Sequence, residues 1–127
     1  MNEKKITIAG KETKIIYCFA TEIAYHDITG EEMSDFMREA FTATQTGVLP
    51  DGKKIAMAIM AAHIAYSESM RQEQVINVDD ILYKSSSNEI INAFSNLITL
   101  YVEFHTPPVG EPKEEEKKGG KKKPKKS

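Results

Sequence analysis

Two hydrophobic periods follow one another along this chain. Ile6-Thr7-Ile8 alternates apolar and polar, as a strand buried on one face does. Ala9-Gly10-Lys11-Glu12 reads as a turn, with Gly10 free to take positive φ. Thr13 to Tyr17 carries the strand formers Ile15, Ile16 and Tyr17 and reads as the return strand of a hairpin. Two short strands are marginal alone and need a cover. From Phe19 the period lengthens. Phe19 with Ile23, and Ala20 with Ala24, recur at helical spacing, which predicts a helix burying that side and turning Glu22 and Asp27 outward. Gly30 is placed to end this helix in the left-handed conformation.

Glu31 and Glu32 suit the first turn of a second helix, with Met33, Phe36, Met37, Ala40 and Phe41 as its buried stripe. Thr42 to Gly47 is polar and reads as a loop. Leu49-Pro50-Asp51-Gly52 is a turn signal, and Lys53 to Met70 follows without a breaker. Ile55, Ile59, Ala62 and Tyr66 form one face of that segment, while Met57, Met60, Ala61 and Ile64 fill its flanks. A helix apolar nearly all round is central to its bundle. Val75-Ile76 reads as a short extended piece, and Val78 to Tyr83 as a short helix with Asp79 and Asp80 at its start. Ser85-Ser86-Ser87 supplies an N-cap for a last helix, Asn88 to His105. Ile90, Phe94, Leu97, Tyr101 and Phe104 are its stripe, widened by Ile91, Ile98 and Val102. Pro107 stops it.

The expected fold is therefore α+β and mostly helical: an N-terminal β-hairpin packed on a four- to five-helix bundle over residues 1–108 of the 127. Composition sets off the remainder, residues 109–127, as a disordered Glu/Lys-rich tail. The net charge of −2 conceals an asymmetry. Nine basic and fifteen acidic residues precede Glu111, a net of −6, and the last seventeen residues carry a net of +4. The lysines at the very end, Lys121, Lys122, Lys123, Lys125 and Lys126, are the candidate partner-binding residues. They offer phosphate contacts without base readout, so a nucleic-acid accessory role stands only as an alternative.

Little else carries chemistry. One cysteine, Cys18, allows no intrachain disulfide, and its lack of a close basic neighbour points to a small buried apolar role. His26, His63 and His105 lack a second His or Cys at ligand spacing, and His63 reads as a hydrogen-bonded core or boundary histidine. The glycines form neither a phosphate loop nor a dinucleotide fingerprint. The six methionines fall mainly at core spacing. No catalytic, cofactor or metal site and no small-molecule substrate is expected. With no apolar stretch of roughly 20 residues, a cytoplasmic protein without a membrane crossing is the expectation.

The order of these pieces resembles a known family. ITIAGKETKIIY, a helix closing on Thr29-Gly30, EEMSDFMREAF, a long helix, Val78-Asp79-Asp80-Ile81-Leu82 and a final helix together look like the small tail assembly chaperones of long-tailed bacteriophages and prophages. The resemblance implies a non-enzymatic protein. Its expected partners are the tape-measure protein, whose helices it shields, and the tail-tube protein, whose subunits it helps recruit. Members of the family are often made in two forms through a ribosomal frameshift, and within KKGGKKKPKKS the Gly-Gly-Lys-Lys-Lys stretch requires a purine-rich coding run. A structural or adaptor protein that stays in the particle is the alternative.

Overall fold

A computed structural model describes residues 2–106. The expected tail and its five candidate lysines lie outside the described residues. Two antiparallel strands, β1 (Glu3–Ile8) and β2 (Lys11–Ile16), are followed by α1 (Phe19–Thr29), α2 (Met33–Thr46), α3 (Gly52–Met70), α4 (Val78–Lys84) and α5 (Ser87–His105). The order and class match the sequence expectation.

The hairpin closes on two residues, not four. Lys11 pairs with Ile8, leaving Ala9 (φ 54°) and Gly10 (φ 74°) as a tight turn with positive φ at both positions. Ser85 Oγ accepts from the Ala9 N–H at 2.9 Å, and a Glu89 carboxylate oxygen accepts from the Gly10 N–H at 3.2 Å. Glu89 also completes the capping box of α5, accepting from the Ser86 N–H at 2.8 Å while Ser86 Oγ accepts from the Glu89 N–H at 3.1 Å. One carboxylate thus joins the hairpin tip to the start of α5. Lys5–Glu12 and Lys14–Glu3 pairs line the solvent side of the sheet, while Ile6, Ile8 and Ile15 are buried on the other.

α3 is the centre. Asp51 caps it by accepting from the Lys53 N–H. Its Ala56, Ala58, Ala61, Ala62 and Ala65 are all buried, so neighbours approach closely around it. β2, α1, α4 and α5 all pack on it. Met33, Met37 and Met60 fill gaps in the same core.

Three boundaries differ from the expectation. α2 runs to Thr46 instead of breaking at Thr42: Ala43 is buried, and the Thr42, Thr44 and Thr46 hydroxyls are satisfied within the helix by donating back to the carbonyls of Arg38, Phe41 and Thr42. Gly47 (φ 76°) then ends it. Glu31 and Glu32 precede α2, with Glu32 at the N-cap and Asp35 as the acid of the first turn. Val75-Ile76 joins no sheet, which has two strands among the described residues; Ile76 is buried, and the Val75 N–H serves His63.

His63, buried on α3, is the expected core histidine. Its Nε2 accepts from the Val75 N–H at 3.1 Å, which makes Nδ1 the protonated nitrogen, donating to the Lys14 carbonyl at 3.3 Å. It therefore clamps β2 and the α3–α4 connection onto α3. Burial pushes its pKa below the usual 6.5, although the Lys14 carbonyl pulls the other way. On acidification the unfolded chain takes up this proton first, so the contribution of His63 to stability is full above pH 6.5 and is lost as pH falls through the lowered folded value. Imidazole NMR titration should place His63 below 6.5, and His63→Gln should flatten the loss of stability between neutral and mildly acidic pH. An unshifted His63 titration would contradict the clamp.

Candidate partner-binding face

The phase of α1 decides what the protein offers to its surroundings. The helix buries Thr21 and Tyr25, and leaves Phe19 69% and Ile23 62% exposed. Its expected buried side is therefore the outer one, with Ala20 also exposed and Ala24 only half-buried. At 3.6 residues per turn, Ile23 sits roughly 160° round the helix from Thr21.

The cause is local. Only Tyr17 and Cys18 separate β2 from α1. Thr21 Oγ1 donates to the Ile16 carbonyl at 3.0 Å and accepts from the Cys18 N–H at 3.2 Å. Both backbone groups belong to the strand-to-helix joint and need partners there. One hydroxyl serves both, and that turns the Thr21–Tyr25 side inward. Tyr25 stacks at a tilt on Phe36, ring centres 5.6 Å apart. Its hydroxyl is buried with no hydrogen-bond partner, and desolvation, helped by Glu31, pushes its pKa up to about 12. Cys18 is half-buried at the N-cap, its sulfur 4.0 Å from Thr21 Oγ1, so it belongs to the joint and is not the buried apolar residue expected.

The exposed side of α1 continues onto the end of α5. Phe104 meets Phe19 edge-on at 5.1 Å and Tyr17 at 5.5 Å. Tyr101 lies 5.4 Å from Tyr17 and 6.1 Å from Phe41. α5 buries Ala93, Phe94, Leu97 and Leu100, so Phe104, Ile91 and Val102 of the expected stripe are exposed. Phe41 of α2 is exposed as well.

Glu22 is the polar pin of this region. One of its carboxylate oxygens accepts from the Tyr17 hydroxyl at 2.8 Å and meets His105 Nε2 at 2.9 Å. Burial, then Glu22, raises the Tyr17 pKa, so the hydroxyl remains a donor. The Glu22 side chain, expected to point to solvent, is thereby half-buried between α1 and the last turn of α5. A groove of about 490 Å³, lined by Tyr17, Cys18, Leu100, Glu103 and Phe104, opens at this corner. A second, of about 320 Å³, runs between α1 and α3 past Ile23, Ile28 and Ile64.

The described residues hold no group of three or more His, Cys, Asp or Glu placed to bind a metal. Among them, no helix is long and apolar enough to cross a membrane. No family model, curated protein sequence or solved structure matches the chain.

The candidate lysines of the sequence lie in the tail, and this face is not among the sequence expectations. A signal for it exists: α1 is apolar on both sides, with Phe19 and Ile23 on one and Tyr25 and Ile28 toward the other, and a hairpin-capping helix needs only one. Thr21→Val should cost about 1–3 kcal/mol in urea unfolding, because it strands the buried Ile16 carbonyl and the half-buried Cys18 N–H. Ile23→Glu, by contrast, should change stability by no more than about 0.5 kcal/mol. A core-sized loss at Ile23 would refute the assigned phase of α1.

Proposed function

We propose that this protein is a non-enzymatic tail assembly chaperone of a long-tailed phage or prophage. It covers apolar helical segments of the tape-measure protein until tail-tube subunits, which it helps recruit, replace it. The observation that carries the reading is the outward apolar side of α1, continuous with Phe104. Helices recognise one another by laying apolar stripes together. Burying the exposed two-thirds of Phe19 and Ile23 would contribute on the order of 2–4 kcal/mol before the costs of association are subtracted. What remains is a weak, reversible complex, which suits a shield that must leave. The acidic body keeps such complexes soluble, and the lysines from Lys121 to Lys126 suit long-range attraction of acidic tube subunits.

Co-expression of the full chain with the tape-measure protein of a long-tailed phage or prophage that carries its gene provides the test. The reading predicts co-purification that Phe19→Ser/Ile23→Glu abolishes without lowering the thermal midpoint. It also predicts absence of the protein from finished particles by mass spectrometry. Failure to associate would defeat the proposal, and presence in the particle would favour a resident adaptor instead.

A further inference from the structure

We infer that the groove between α1 and α3 docks one amphipathic α-helix of a partner whose apolar stripe is flanked by lysine or arginine. The inference rests on the shielding role proposed above and adds the place and the charge of what is bound. α1 and α3 lie side by side, tied near the end of α1 by the Lys54–Glu31 pair at 3.3 Å. Ala20 and Ala24 keep the groove low, while Ile23 and Ile28 on α1 and Ile64 on α3 supply its apolar surface. Ala20, Ile23, Ala24 and Asp27 line it at intervals of three and four residues along α1, the spacing that suits a helix laid lengthwise, with Ile28 at its far edge.

Two carboxylates, Asp27 and Glu68, line the same groove. Among the described residues neither takes part in an ion pair, and Arg71, one turn beyond Glu68, takes part in none either. The segment up to residue 110 carries a net charge of −6, so the field over this groove favours a cationic visitor.

Two other occupants fit poorly. The chain's own lysine-rich end satisfies the charge, but Glu111 to Ser127 contains no aliphatic or aromatic side chain apart from two prolines to fill the groove. A second copy docking by a two-fold axis would bring the same acidic rim against Asp27 and Glu68. A partner helix with an apolar stripe and basic flanks meets both requirements.

The test uses two fluorescently labelled synthetic helical peptides with the same leucine stripe, one with lysine flanks and one with glutamate flanks. Each is titrated against the full chain by anisotropy at low and moderate salt. The lysine peptide should bind about tenfold more tightly, a preference that shrinks with salt, as two rim ion pairs and the loss of repulsion allow. Asp27→Asn/Glu68→Gln should bring the two peptides near parity while leaving residual binding, and Ile23→Glu should abolish both. Equal affinities for the unmodified chain would overturn the charge assignment and leave apolar capture standing. Undiminished binding to Ile23→Glu would overturn the location. Binding of neither peptide would overturn this inference and count against the shielding role as well.

Discussion

The outer surface of this protein depends on one buried hydroxyl. The strand-to-helix joint after β2 is two residues long, and its backbone groups are buried at Ile16 and half-buried at Cys18. Thr21 bonds one on each side, the Ile16 carbonyl and the Cys18 N–H. A helix held at that point has no freedom to rotate. Tyr25 must then enter the core beside Phe36, and Phe19 and Ile23 must leave it. A polar requirement at the joint overrides a hydrophobic preference along the helix. An unpaired buried backbone group costs about as much as burying one aliphatic side chain gains, so the two effects are of similar size. Two stranded groups against one helix face decide the outcome for the joint.

Around that joint the rest of the fold is a frame. α3 supplies a core helix with five buried alanines, which lets the hairpin and three helices approach it from different directions. His63 holds β2 and the α3–α4 connection to it through nitrogen atoms on opposite sides of one ring. Glu89 binds the hairpin tip to the first turn of α5, and Glu22 binds Tyr17 and the last turn of α5 to α1. These contacts hold Phe104 against Phe19, so that residues from both ends of the described chain share one apolar face.

Much of this architecture is written locally in the sequence. Gly30, Gly47 and Ser86 cap the helices as their types imply, and the continuous apolar run of α3 marks its central place. What periodicity does not carry is phase. α1 and α5 are each apolar on more than one side, and spacing alone cannot choose which side faces in. For α1 the choice is made by Thr21, whose partners lie in the preceding strand. For α5 it is made by packing on β1 and α3, which selects Ala93 and Leu100 over Ile91 and Phe104. The end of α2 was hidden for a related reason. A polar, threonine-rich stretch reads as loop, whereas here Ala43 is buried and the hydroxyls are satisfied by carbonyls one turn back. The tail lysines were prominent as a charge block, while the apolar face became visible only once the helix phases were known.

The face is therefore the functional claim, and it stands or falls on α1. A soluble paramagnetic relaxation agent, applied to protein with ¹³C-labelled isoleucine methyl groups, tests it in one spectrum. The account predicts strong attenuation at Ile23 and Ile91 and little at Ile8, Ile15, Ile59 and Ile81, all of which are buried. Protection of Ile23 to the same degree as those core methyls would contradict it.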